Sequence, residues 1–265
     1  MTLRAIPKRL ALRLLPDSIL QVVKKVHYAR VLRRVTENDE PDLQVLKVLV
    51  EPGQSVADIG ANIGVYTKCL SECVGPTGRV ISVEPISLTF DILRSNMRKL
   101  GLSNVEAKNY AISDAEGQVK MQVPMYGSGG ANFYEARIDA EEMNDSARTF
   151  LVPATTVDAL LFTSPSVHFI KCDVEGHELN CIRGASKTIE RSKPAWLIEI
   201  SSDIDDERSG SYQTYRILSE SGYNAYWFDG MKLRPRRPGT RSVNYFFLTT
   251  SQLESLRQKG FPLES

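Results

Sequence analysis

Two short stretches hold most of the residues that could do chemistry. The first runs over residues 55–67, where an apolar run ends in Asp58 and a turn follows through Gly60, Ala61, Asn62 and Gly64. A strand, a glycine turn and a helix start are what a nucleotide-type cofactor needs, because glycine lets the backbone approach a ligand and a helix end offers unpaired N–H groups. The glycines are spaced G-x-x-x-G, with Asn62 where a dinucleotide fingerprint has its middle glycine. That glycine normally makes room for a pyrophosphate, so NAD and FAD fit poorly. No G-x-x-x-x-G-K-[ST] occurs, which excludes a P-loop. A ligand with an adenosine but no phosphates fits better, and S-adenosylmethionine is the obvious one. Glu84 closes the next apolar run, about twenty residues on, where an acid commonly accepts hydrogen bonds from ribose hydroxyls. Asp58 is placed to receive the ammonium of a methionine moiety.

The second stretch, 169–178, sets Asp173, Glu175, His177 and Glu178 at one strand end and the helix after it. In an open α/β sheet, ligands bind outside the carboxyl ends of the strands. Asp173 is the foremost site candidate. His177 could act as a general base, since an imidazole titrates near neutrality, or be a surface residue. Glu178 could simply favour a helix N-terminus. Glu199 is an acid inside an apolar strand and must face the site or pair, because a lone buried acid costs several kcal/mol. Asp173 and Glu199 could offer oxygen ligands to Mg²⁺, but two acids on neighbouring strands do not make a metal site, and none is expected.

These residues need a scaffold. From residue 55 onward strand and helix patterns alternate: strands at 56–59, 79–84, 105–109, 118–124, 167–173, 195–200, 223–228 and 243–249. Helices are expected at 63–73, 87–100, 155–161, from Glu178 onward, 212–221 and 252–259. Ser87 is the expected N-cap of the helix at 87–100, with Gly101 just past its end. The order implies a parallel sheet with helices on both faces. Residues 116–154 break the rhythm with the glycine-rich stretch Gly127–Phe133 and the acids Glu141, Glu142 and Asp145, read as an active-site flap. The division expected is a helical cap over 1–50, a catalytic domain over 51–250 and a tail over 251–265.

Composition sets limits. The 265 residues are 42% hydrophobic and 25% charged with a net charge of +1, ordinary for a globular protein and no sign of a nucleic-acid partner. Charge is uneven locally. Residues 1–35 carry Arg4, Lys8, Arg9, Arg13, Lys24, Lys25, Arg30, Arg33 and Arg34 against Asp17 alone. They read as amphipathic helical pieces, interrupted at Pro7 and Pro16, that form a cap, lie on a membrane surface or serve as a transit peptide. A second basic cluster, Lys232, Arg234, Arg236, Arg237 and Arg241, reads as a solvated face or as a contact for an anionic acceptor. Cys69, Cys73, Cys172 and Cys181 fit no common zinc spacing and read as small buried side chains. No apolar run is long enough to span a membrane and no secretory signal is apparent, so a cytoplasmic, at most membrane-peripheral, protein is expected.

Taken together, residues 56–67, then Val83-Glu84-Pro85, then Ile170 to Glu178 resemble the FkbM-type family of S-adenosylmethionine-dependent O-methyltransferases. Order and spacing agree over 55–200, and Asn244 to Phe247 is similar to that family's last strand; Cys172 is a mild departure. The resemblance implies a Rossmann-like class I methyltransferase fold: α/β, with a seven-stranded, mostly parallel sheet whose last strand is antiparallel, here with an N-terminal helical cap. It implies S-adenosylmethionine as cofactor and methyl transfer to a hydroxyl of a sugar, glycan or secondary metabolite. By motif, Asp58, Gly60, Ala61, Asn62, Gly64 and Glu84 would bind cofactor, Ala111 would neighbour the adenine, and Asp173 and Glu175 would line the junction with the acceptor. Two other readings stand beside it: an NAD-dependent oxidoreductase, disfavoured by the glycine spacing, and a non-catalytic membrane- or partner-binding protein on the same fold.

Overall fold

The computed structural model describes residues 17–123, 137–138, 148–164 and 166–264, with the backbone alone at 17–20, 123, 137, 138 and 148. Two helices open it, α1 (Asp17–Arg34) and α2 (Leu43–Leu49). The alternation follows: β1 (Ser55–Ile59), α3 (Val65–Val74), β2 (Arg79–Val83), α4 (Ser87–Leu100) and β3 (Val105–Lys108). Next come β4 (Ala111–Ile112), β5 (Gly117–Val123), β6 (Arg137–Ile138), β7 (Arg148–Thr155), α5 (Val157–Leu160) and β8 (Phe169–Cys172). The remainder is α6 (Glu178–Arg183), α7 (Ser186–Ser192), β9 (Ala195–Glu199), α8 (Gly210–Glu220), β10 (Asn224–Phe228), β11 (Leu233–Pro235), β12 (Asn244–Leu248) and α9 (Thr250–Gln258).

The main sheet has the order β11-β10-β12-β9-β8-β1-β2-β3. Seven strands make the expected sheet, with β12 antiparallel to both its neighbours. The eighth, β11, is a correction to the expected count of seven. It is three residues long and pairs antiparallel with β10 across the turn at Asp229 and Gly230, too short to show a period of its own. The strand order reverses between β1 and β8, and a crevice opens at such a switch point.

Core strands buried on both faces read as continuous apolar runs, and their side chains divide by parity. Ala57, Ile59, Ile81, Val83, Ile170, Trp196 and Phe247 pack against α6, α7 and α8. Val56, Val80, Phe169, Leu197 and Phe246 pack against α2, α3 and α9. Polar residues on this second face, Asp58, Lys171 and Glu199, fall at or near the carboxyl ends of their strands, where the sheet stops and the site begins.

Helix α1 is a cap packed on the domain. Leu32 and Ala29 are buried, Leu32 against Ile63 and Ile92 of the glycine turn and α4. Pro7 and Pro16 lie outside the described residues. The expected cap at Ser87 is corrected. Ile86 holds the N-cap position without a side-chain bond, and the Ser87 hydroxyl donates to Asn109 Oδ1 instead. Gly101 does end α4, in the left-handed region at φ 71°. The insertion at 116–154 is built on a second sheet, β4-β7-β5-β6, which packs Met121, Val152 and Ala154 against Ile86 and Ala111. The stretch Gly127–Phe133 and the acids Glu141, Glu142 and Asp145 lie outside the described residues.

Candidate active site

The turn after β1 is held by backbone geometry that its residues permit. Gly60, Asn62 and Gly64 all have positive φ, 75°, 50° and 100°. Asparagine tolerates this region better than most residues. The glycines serve the protein's own packing. A Cβ on Gly60 would sit 1.7 Å from the Asp173 carbonyl oxygen, and one on Gly64 would meet the ends of Met97 and Leu93. Gly60 is therefore what lets the ends of β1 and β8 close on each other.

Glu84, just beyond β2, clamps this turn. Its Oε2 accepts from the Asn62 N–H at 3.0 Å and its Oε1 from the Ile86 N–H at 2.9 Å. Burial, opposed by these two bonds, pushes its carboxyl up to about 7. Asp58 is fully buried. Its Oδ2 accepts from the Thr67 hydroxyl at 2.5 Å, while Oδ1 has no hydrogen-bond partner among the described residues. Burial raises its pKa, with the Lys171 charge pulling the other way.

The second wall comes from the end of β8. The Asp173 N–H donates to the Ile59 carbonyl at 3.1 Å, and Lys171 Nζ donates to Asp173 Oδ2 at 2.8 Å. Glu175 has φ 53°, which is costly for a side chain of its kind and marks a backbone held in place by its surroundings. Glu178 holds it there: its Oε1 accepts from the Gly176 N–H, and its Oε2 from the Ser201 hydroxyl. Glu199 stands at the end of β9. Carboxylate oxygens of Asp173, Glu175 and Glu199 lie within 4.8 Å of one another. Sequence reading named the three acids separately; the fold brings them together. Burial first, then repulsion from Asp173 and Glu175, pushes the Glu199 carboxyl up to about 7.

Between the walls lies a cleft of about 570 Å³, part of it open solvent. Of the residues singled out in the sequence, Gly60, Asn62, Glu84, Ala111, Asp173 and Glu175 line it. Asp58, Ala61, Gly64 and His177 do not. His177 is placed elsewhere: its Nε2 meets the Ser113 hydroxyl at 3.0 Å, between α6 and the end of β4. Among the lining residues that were missed are Tyr110, Ile86, Ile112 and Met121. Tyr110 adjoins Ala111 and was within reach of sequence reasoning, whereas Met121 arrives through pairing of the second sheet. Lys171 was also missed, although a lysine between Ile170 and Cys172 in an apolar strand was a visible signal.

The four arginines of the basic cluster are tied up in ion pairs. Arg234 pairs with Asp229 and Glu264, Arg237 with Glu264, Arg236 with Asp205, and Arg241 with Asp203 and Asp205. The cysteines are free thiols, three of them buried. Among the described residues, no helix is long and apolar enough to cross a membrane.

The sheet order, the antiparallel last strand and a cleft at the β1/β8 switch point define a class I methyltransferase fold. A model of the methyltransferase FkbM domain matches residues 58–225, more than half of the chain. The chain belongs to the FkbM family of S-adenosylmethionine-dependent methyltransferases. Among curated proteins, it is 24% identical over 183 residues to hexuronic acid methyltransferase AglP of Haloferax volcanii, covering 67% of each chain. It is 34% identical over 56 residues to a protein-L-isoaspartate O-methyltransferase of Methanothermobacter thermautotrophicus, 21% of this chain and 26% of that one, so it spans about a quarter of that relative's length. The solved structure of methyltransferase FkbM from Methylobacillus flagellatus is 19% identical, with a TM-score of 0.48 over 88% of this chain and 60% of that one.

The site fits the cofactor on its own chemistry. Asn62 Oδ1 and Asp58 Oδ1 are buried acceptors without partners among the described residues, and the cofactor brings an ammonium and ribose hydroxyls as donors.

Proposed function

We propose that this chain transfers the methyl group of S-adenosylmethionine to a hydroxyl of a sugar, glycan or other small metabolite. The observation that carries this reading is one cleft lined by Gly60, Asn62 and Glu84 on one side and Asp173 and Glu175 on the other. When bound, the cofactor supplies a methyl carbon made electrophilic by a sulfonium. Glu84 would accept from the ribose, Asn62 Oδ1 from a nearby donor, and Ala111, Ile86 and Met121 would offer the adenine an apolar bed. Asp58 lies behind the turn, so its role toward the ammonium is through the open Oδ1 and a short reach, direct or by water.

A hydroxyl must lose its proton as it is methylated, a task worth about 10²–10⁴-fold in rate. The candidates are Asp173, Glu175 and, beside them, Glu199, whose carboxyl lies near neutrality. His177, outside the cleft, is the weaker candidate. Grouped carboxylates repel an anion, which favours a hydroxyl over an acid group as acceptor. The similarity to a hexuronic acid methyltransferase supports the sugar class.

The test is a labelled-methyl transfer screen against sugars, glycolipids and polyketides, with Asp173→Asn as control. Transfer to at least one acceptor is expected, falling by about 10²-fold or more in the control, while S-adenosylmethionine still binds. No heat on titrating S-adenosylmethionine into the native protein would sink the reading.

A further inference from the structure

Lys171 lies behind this cleft, against two residues that line it, yet the reaction above gives it no role. It sits within β8, on the face packed by α3, and is 6% exposed. A buried ammonium costs several kcal/mol unless it is well paired. Its Nζ donates to Asp173 Oδ2 at 2.8 Å, lies 3.5 Å from the Gly60 carbonyl and stands 4.8 Å from the centre of the Tyr66 ring. It therefore touches both walls of the cleft, the glycine turn after β1 and the acidic run after β8.

The groups around it come from every neighbouring element. Asp58 faces it from β1, Glu199 from β9 and Tyr66 from α3, and Glu84 feels its charge from the end of β2. Glu175 and, on α6, Glu178 complete the acids near Glu199. Before α2, Glu40 accepts from the Tyr66 hydroxyl at 3.2 Å, and Asp42 accepts from Asn244, the register partner of Glu199. Lys171 is the one cation in this set.

We propose that Lys171 is a positioning residue for cofactor binding: it locks the Gly60 turn to Asp173 and is the counter-charge that lets several carboxylates face a cofactor carrying an ammonium and a sulfonium. The inference rests on the S-adenosylmethionine reading above. Burial already raises the carboxyl pKa values of Asp58, Glu84 and Glu199, and the Lys171 charge opposes the rise in all three. Without it they take up protons at higher pH, and a protonated carboxyl no longer attracts a cation.

The test is calorimetry of the full chain with S-adenosylmethionine and, separately, S-adenosylhomocysteine at pH 6.5 and 8.5. Lys171→Met should weaken S-adenosylmethionine by roughly tenfold at pH 6.5 and recover most of the loss at pH 8.5. S-Adenosylhomocysteine, which lacks the sulfonium charge, should lose less. If the methionine variant does not fold, Lys171→Gln decides, since it keeps a donor and removes the charge. An unchanged affinity at pH 6.5, or a loss equal at both pH values and for both ligands, overturns the proposal. Absence of heat with the native protein is a separate result, which strikes the cofactor reading itself.

Discussion

Single side chains here do two jobs. Glu84 braces the glycine turn through two backbone N–H groups and also lines the cleft. Its raised pKa means that the folded protein holds this proton more tightly than the unfolded chain does. The resulting stabilisation is full below the ordinary carboxyl value of 4.5 and is lost as pH climbs through about 7. It amounts to about 3 kcal/mol at most, at 1.36 kcal/mol per pKa unit. Glu84→Gln should therefore flatten the fall in stability between pH 5 and 8 seen by urea denaturation, and should weaken S-adenosylmethionine binding by about tenfold or more. A variant with the native pH slope would show that burial of Glu84 does not set it. The reading of Glu84 as a cleft residue was open to sequence, because an acid ending an apolar run marks a strand's carboxyl end. Its backbone bonds were not, since Asn62 lies 22 residues away.

At the scale of the element, the glycine turn separates two requirements that look alike in sequence. Gly60 meets backbone, the carbonyl of Asp173, and Gly64 meets the flexible ends of Met97 and Leu93. Backbone cannot yield, whereas a methionine end can. Gly60→Ala should cost about 3 kcal/mol or more, from the clash added to a left-handed φ. Gly64→Ala should cost about 1–2 kcal/mol for its φ with some repacking. Urea midpoints would rank the two, and an equal or larger loss at Gly64 would contradict the packing argument. Sequence marked both glycines, but for approach to a ligand; the structure adds the protein's own neighbours. The strands were legible because they are buried on both faces, and α4 because its apolar stripe and Gly101 mark its face and end. β11 was not legible, since three residues show no period.

Across the whole molecule, helix α1 packs on the domain that follows it. Leu32 is fully buried against Ile63 and Ile92, and the residues before α2 reach Tyr66 and Asn244 at the site's edge. Leu32→Ala should cost about 2–4 kcal/mol, as for a large-to-small change in a core, and lower the thermal midpoint. A change under about 0.5 kcal/mol, the range of surface substitutions, would mean that α1 only rests on the domain. The paired arginines at 234–241 make a similar point. Their count suggested a basic face, but their partners Asp203, Asp205, Asp229 and Glu264 neutralise them in place.

The sequence by itself determined the order of the seven expected main-sheet strands and their helices, the glycine turn, and the acids at the ends of β1, β2 and β8, but not the strands β4, β6, β7 and β11. These follow from local rules: burial periodicity names the faces, and polar residues that end apolar runs name the site's edge. Only the tertiary structure decided which of those residues share one cleft. It put Lys171 between Gly60 and Asp173, gathered Glu199 with Asp173 and Glu175, and set His177 on Ser113. Such contacts join residues on separate strands, as far as 111 positions apart for Lys171 and Gly60. Their distances are set by sheet register and packing, which no local pattern encodes.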